Sequence, residues 1–171
     1  SARILEVGFN AGHSNALFLL ANPRATVVNF DLCFHAYTRP CFEALRAAAT
    51  EADVELVCGD SVQTLVAYDA RWHAGGAEPF DLVHVDGGHG DVAFFHDVVN
   101  CKRFSGRGTL LVVDDAWDDN IAARIADFVA LQFLREVDYA ALGLYSTVMG
   151  TAGKMPHRVF RYTFDGAAPH I

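Results

Sequence analysis

The sequence predicts an α/β fold: a doubly wound sheet of five parallel strands, covered by helices on both faces, with a C-terminal antiparallel addition. Three observations point there. Short apolar runs alternate with helical patterns from the first residues to about residue 130. Four of these runs stop at acidic residues, namely Asp31, Asp60, Asp86 and Asp114-Asp115. Beyond residue 130 the pattern changes to two strand-like alternating segments. Strand–helix alternation implies parallel strands joined by crossover helices, and such sheets bind ligands beyond the carboxyl ends of their strands.

Each element has its own signal. Ile4 to Val7 is a first strand ending at Gly8, and Ser14 to Ala21 reads as a helix. Ala25 to Phe30 is a β-rich run that stops at Asp31. Pro40 suits a first helical turn, after which Phe42, Leu45 and Ala49 share one face. Val54 to Cys58 is a third strand, and Val62 to Tyr68 a short helix. Ala74 to Pro79 carries two glycines and a proline and reads as a loop. Phe80 to Val85 is a fourth strand, followed by a helix marked by Val92, Phe95 and Val99, with Phe94-Phe95 packing into the core. Thr109 to Val113 is a fifth strand. Asp118 or Asp119 then caps a helix carrying Ile121, Ile125, Phe128 and Val129. Phe133 to Tyr139 and Val159 to Phe164 form the closing antiparallel pair, with no helix expected between them.

Composition narrows the function. The 171 residues are expected to form one domain, 1–171, with 52% hydrophobic residues to fill its core. Asp and Glu total 21 against 13 Lys and Arg, a net charge of −8. That balance argues against nucleic acid as the partner, because phosphates need a basic surface, and suits a small cationic ligand. No apolar run approaches the ~20 residues that span a bilayer, so no membrane partner is expected. Ser1-Ala2-Arg3 leads straight into the first strand, so no signal peptide is expected and the location is read as cytoplasmic. Cys33, Cys41, Cys58 and Cys101 form no C-x-x-C pair and are expected as free thiols in a reducing compartment. Homo-oligomer formation stays open.

The chemistry concentrates at strand ends. The first turn reads Glu6-Val7-Gly8-Phe9-Asn10-Ala11-Gly12-His13-Ser14. Its glycines let the backbone bend sharply and approach a ligand, and amides at the helix start can bind a carboxylate or phosphate. The spacing is E-x-G-x-x-x-G, not the dinucleotide G-x-G-x-x-G. Asp31 follows Gly8 by 23 residues and ends the second strand, where a carboxylate accepts both hydroxyls of a ribose. Gly59-Asp60-Ser61 ends the third strand; Asp60 or Ser61 serves equally well as a helix cap. His84 and Asp86 point to one side of the fourth strand; a hydrogen-bonded core role for His84 is favoured over an approach to the cofactor. His89 follows two glycines and has the intrinsic pKa of a general base, or else simply shapes the pocket. His13, His35, Tyr37 and Trp117 are further candidates for pocket walls.

Read in order, Glu6 to Ser14, Phe30-Asp31-Leu32, Gly59-Asp60-Ser61, Phe80 to His89 with its Asp86-Gly87-Gly88-His89, and Val113-Asp114-Asp115 resemble methyltransferase family 24. That family is a branch of the class I S-adenosylmethionine-dependent enzymes, and the resemblance runs from about residue 4 to 130. It implies a Rossmann-like sheet and S-adenosylmethionine as cofactor. Glu6, Gly8, Asn10, Gly12, His13, Ser14, Asp31, Asp60, Ser61 and Asp86 are the cofactor-binding positions. Some relatives are metal-assisted O-methyltransferases, which implies Mg²⁺ on Asp86, Asp114 and Asp115 and a small hydroxyl-bearing substrate. Asp86 and His89 are then the catalytic candidates, with His89 as base. Class I enzymes usually carry helices before the first strand, and this chain is expected to lack them. Two other functions remain open: a non-catalytic nucleoside-binding remnant of this fold, and an NAD-dependent oxidoreductase, which the missing glycine at position 10 disfavours.

Overall fold

The computed structural model describes residues 1–76, 78–138 and 157–164. Among these residues, seven strands and five helices run in order: β1 Arg3–Val7, α1 His13–Ala21, β2 Thr26–Asp31, α2 Thr38–Ala48, β3 Asp53–Cys58, α3 Ser61–Ala74, β4 Phe80–Val85, α4 Asp91–Cys101, β5 Ser105–Val113, α5 Asp119–Ala130, β6 Leu134–Glu136 and β7 Arg158–Tyr162. A 3₁₀ turn, Lys102–Phe104, leads into β5. The sheet order is β3-β2-β1-β4-β5-β7-β6. Strands β1 to β5 are parallel, and β7 runs antiparallel between β5 and β6. The expected α/β architecture, with five parallel strands and an antiparallel addition, is the one observed.

The parallel strands are apolar on both sides because both faces are covered. Leu5, Val7, Phe30, Val83, Val85, Leu111 and Val113 pack against Leu65 and Trp72 of α3, Phe94 and Val98 of α4, and Ile121, Ile125 and Phe128 of α5. Ile4, Val27 and Val54 pack on the opposite face against Leu19 of α1 and Phe42 of α2. Phe94 is buried and Phe95 stacks on Phe128, so both serve the core as expected.

Boundaries differ where local signals mislead. Helix α3 runs on to Ala74, six residues beyond its expected end, because Trp72 falls one face-repeat after Leu65 and is buried with it. Strand β5 begins at Ser105, not Thr109. Its Gly106-Arg107-Gly108 stretch reads as a turn, yet Thr109 Oγ1 ties it to the Phe80 carbonyl at 2.5 Å. Asp118 is the cap of α5, accepting from the backbone of Asn120 at 2.9 Å. Tyr139 and residues 140–156 of the interval expected to lack a helix lie outside the described residues. Among the described residues no helix is long and apolar enough to cross a membrane.

The expectation of four free thiols is corrected. Cys33 and Cys58 form a disulfide, while Cys41 and Cys101 are free. Strand register explains the pairing: Asp31 lies opposite Cys58 on neighbouring strands, and two residues later the chain brings Cys33 within a Cα–Cα distance of 5.5 Å. Nothing in cysteine spacing shows that juxtaposition.

One buried acid also marks the core. Asp97 of α4 is 1% exposed, and its Oδ1 has no hydrogen-bond partner. Burial pushes its carboxyl up to about 7, against the opposing hydrogen bond of Ser61 and with help from the Asp60 charge. A raised native pKa means the fold prefers the neutral acid. Its contribution to stability is therefore full below the ordinary carboxylate range and is lost as pH rises through about 7. Asp97→Asn should remove that slope and raise stability at pH 8 by on the order of 2 kcal/mol, measured as urea unfolding at several pH values. A parallel pH dependence in wild type and variant would contradict this. Reducing the Cys33–Cys58 bond, which spans 25 residues, should cost about 3 kcal/mol of stability. Cys33→Ser should show the same loss and no further response to a dithiol; equal stability of all forms would show that the bond adds nothing.

Candidate active site

The sheet order reverses between β1 and β4: the chain leaves β1 toward β2 and β4 toward β5, so a crevice opens at their carboxyl ends. Two backbones meet there. The Asp86 amide donates to the Val7 carbonyl at 2.8 Å, and a Cβ placed on Gly8 would lie 2.0 Å from the Asp86 carbonyl oxygen. Gly8 has φ +102°, so close approach and backbone conformation both demand glycine.

A buried polar layer holds this turn. Asn29, Glu6 and His84 lie side by side on β2, β1 and β4. The Glu6 carboxylate is fully buried and accepts from Ser14 Oγ and Asn15 Nδ2 at the start of α1. It also lies 2.8 Å from His84 Nδ1. Asn15 Nδ2 further donates to Asn29 Oδ1 at 2.8 Å. The first turn of α1 is thereby anchored to three strands at once.

Two clefts flank the Gly8–Asp86 contact, and Gly8, Asn10 and Asp86 line both. The first has a volume of about 270 Å³ and is walled also by Asp31, Phe34, His35, Asp60 and Ser61. Asp31 Oδ2 accepts the Asn10 amide at 2.8 Å and Oδ1 the Cys33 amide at 2.6 Å, which leaves each oxygen a further lone pair. Tyr37 donates to Asn10 Oδ1 at 2.7 Å, and His35 stacks on Tyr37 with ring centroids 4.8 Å apart. Phe34, 72% exposed, lies against His35 at the rim. Asp60 caps α3 through the Val62 amide at 3.0 Å and still faces the cleft. Carboxylate acceptors, exposed aromatic rings and a glycine floor suit a nucleoside.

The second cleft, about 390 Å³, is lined by His13, Ser14, Phe18, His84, Asp114 and His157. Ligand atoms of His84, Asp86 and Asp114 lie within 4.8 Å of one another. Burial and the neighbouring Asp114 charge push the Asp86 carboxyl up to about 6, with His84 opposing. Burial disfavours a charged His84, but the hydrogen bond with Glu6 and the charges of Glu6, Asp86 and Asp114 outweigh it and raise its pKa. His157 Nδ1 lies 2.5 Å from Asp114 Oδ1.

Several expected site residues sit elsewhere. Glu6 and Gly12 line neither cleft. A Cβ on Gly12 would meet the Phe9 ring at 2.6 Å, so this glycine serves the packing of the turn, not space for a ligand. Asp115 turns away from Asp114: its Oδ2 lies 2.8 Å from His89 Nε2 and its Oδ1 accepts from Trp117 Nε1 at 3.0 Å. His89, held by Asp115 and 3.6 Å from Asp118, lines neither cleft. His84, expected on the same strand side as Asp86 and as a hydrogen-bonded core residue, is both bonded to Glu6 and part of the wall of the second cleft. Sequence reasoning missed His157, which reaches Asp114 from a position far along the chain.

A family model described as a methyltransferase domain matches residues 5–116. The chain belongs to this family. The family match makes it a class I S-adenosylmethionine-dependent methyltransferase, and the sheet order agrees with that, so the nicotinamide reading falls away. No curated protein sequence matches it significantly. Among solved structures it is similar to CalS11, a TDP-rhamnose 3′-O-methyltransferase of calicheamicin biosynthesis, at 14% identity and TM-score 0.69, covering 94% of this chain and 71% of that one. MycE, a methyltransferase of the mycinamycin pathway solved with Mg and SAH, is similar at 14% identity and TM-score 0.63. That match covers 99% of this chain, which spans 48% of MycE. A 16S rRNA (adenine(1408)-N(1))-methyltransferase from Catenulisporales acidiphilia is similar at 16% identity and TM-score 0.55, covering 98% and 90%. The methyltransferase fold thus carries both small-molecule and RNA acceptors.

With a ribose on Asp31, Asp31→Ala should weaken S-adenosylhomocysteine binding at least tenfold in calorimetry, since charge-assisted hydrogen bonds contribute roughly 1.5–3 kcal/mol each. Affinity within twofold of wild type would remove Asp31 from the site.

Proposed function

We propose that this methyltransferase transfers a methyl group to a hydroxyl oxygen of a small molecule, with Mg²⁺ assistance. The observation that carries this reading is the wall shared by the two clefts. Gly8, Asn10 and Asp86 border a nucleoside-sized cleft on one side and a carboxylate-lined cleft on the other. A methyl donor in the first can therefore face an acceptor in the second. S-adenosylmethionine supplies an activated methyl group on a sulfonium.

The chain's own residues do the aligning. Asp31 takes the ribose hydroxyls, and Phe34 and His35 flank the adenine with Asp60 and Ser61 beside it. Gly8 and Asn10 let the donor lie close to the backbone. Asp86 and the backbone amides at the start of α1, beside His13, receive the charged amino-acid end. The acidic lining suits a cation and disfavours the phosphates of a nucleic acid. A sugar-like acceptor is supported by CalS11, whose description names a rhamnose hydroxyl.

The metal fits on donor chemistry. Asp86 and Asp114 offer hard oxygen atoms close together; burial first and the Asp114 charge second raise the Asp86 pKa, and a cation would relieve the repulsion between them. Asp115 is the next residue along. A bound Mg²⁺ would orient the acceptor hydroxyl and lower its pKa. His89 is the base in this reading: it lies outside both clefts with its Nε2 held by Asp115, so it must turn from Asp115 toward the bound acceptor to take the proton.

The test is methyl transfer to a panel of hydroxyl acceptors, with and without chelator. Chelator should abolish turnover and leave S-adenosylhomocysteine binding intact, and Asp114→Asn should do the same. His89→Ala should slow turnover ~10²–10⁴-fold. Full activity in excess chelator would exclude the metal, and an undiminished His89→Ala rate would leave that histidine structural. Binding without turnover on any acceptor would favour a non-catalytic nucleoside-binding domain.

A further inference from the structure

We infer that His84 supplies a nitrogen ligand beside Asp86 and Asp114, so that the site binds a later divalent transition metal such as Co²⁺ or Zn²⁺ more tightly than Mg²⁺. This rests on the reading of Asp86 and Asp114 as metal ligands and goes beyond it in the ligand set and the class of ion.

Strand geometry brings the three together. His84 of β4 precedes Asp86, the first residue beyond the strand, by two residues and therefore points to the same face. Val112 of β5 lies opposite His84, and Asp114 follows Val112 by two residues on that face. The ligand atoms of the three side chains lie within 4.8 Å of one another, a spread that small side-chain shifts close onto one ion.

The histidine itself points to a ligand. Its side chain is only 9% exposed, yet it lines the second cleft. Nδ1 is committed to the buried Glu6 carboxylate at 2.8 Å, whereas Nε2 has no hydrogen bond among the described residues. A carboxylate can only accept, so Nδ1 carries the proton, and in the neutral ring Nε2 has the lone pair that a metal ion needs. Glu6 is in turn held by Ser14 and Asn15, which fixes the ring's orientation. A carboxylate behind an imidazole whose other nitrogen faces two further carboxylates is a common metal-ligand arrangement, in which the rear carboxylate sets the tautomer and strengthens the donor. A histidine serving only the core has no need of an exposed lone pair beside two acids. The donor set also selects the ion. Mg²⁺ favours oxygen ligands and gives up water reluctantly, while imidazole nitrogen favours the later divalent metals.

Mn²⁺ titrated into the wild-type chain and followed by electron paramagnetic resonance tests this directly. Spin-echo modulation of the bound ion then reads any directly coordinated nitrogen. The proposal expects a ¹⁴N modulation that converts to ¹⁵N in protein made with ¹⁵N-histidine and persists in His89→Ala and His157→Asn. It also expects Co²⁺ to bind at least tenfold more tightly than Mg²⁺, with His84→Asn reducing that ratio at least fivefold. The labelling read-out uses the wild-type side chain, so it stands even where His84→Asn folds poorly. Bound Mn²⁺ without ¹⁴N modulation, or modulation lost in His157→Asn, would overturn the role of His84 and leave the acidic site intact. Absence of Mn²⁺ binding would overturn the metal reading and this proposal together.

Discussion

The buried carboxylate of Glu6 is the interaction on which the rest of the structure depends. An unpaired charge in that position would be costly, so every oxygen must be satisfied. Ser14 and Asn15 reach it from α1, and His84 reaches it from β4. Asn15 carries the network on to Asn29 of β2. One acid thereby fixes the entry of α1 relative to three strands. The turn between β1 and α1 has its shape because its two ends are pinned by the same group.

Pinning the turn constrains the space around it. Gly8 packs against the Asp86 carbonyl so closely that no side chain can be accommodated. That contact divides the crevice into a nucleoside-shaped half and a half rich in acids and imidazoles. The disulfide between Cys33 and Cys58 joins the ends of β2 and β3 beside the first half, next to Asp31 and Asp60. The packed core therefore serves mainly to hold strand ends in register, and the chemistry is left to side chains that emerge just beyond them.

The fold was legible because parallel strands covered on both faces leave continuous apolar runs, and because each run here stops at an acid or a glycine. Elements faded where the code is ambiguous: the glycines that open β5 look like a turn, and the polar stretch that ends α3 hides the buried Trp72. The lining of the first cleft was legible from local spacing, since Gly8, Asn10, Asp31, Asp60 and Ser61 all belong to strand ends. Direction was not legible. Asp114 and Asp115 are adjacent, yet a positive φ of 50° at Asp115 sends its carboxylate to His89 and away from Asp86. Glu6 reads as a ligand contact but is an anchor behind the wall. Cysteine pairing and the reach of His157 to Asp114 depend on contacts between distant segments, which no local pattern encodes.

The central claim is that a single methyl donor lies across the Gly8–Asp86 contact, with its nucleoside in one cleft and its reactive end at the other. A crystal structure with S-adenosylhomocysteine tests it most directly. The ribose hydroxyls should lie on Asp31, the adenine between the Phe34–His35 rim and Asp60, and the sulfur at the wall formed by Gly8, Asn10 and Asp86. A nucleoside bound away from Asp31, or a sulfur remote from that shared wall, would contradict it.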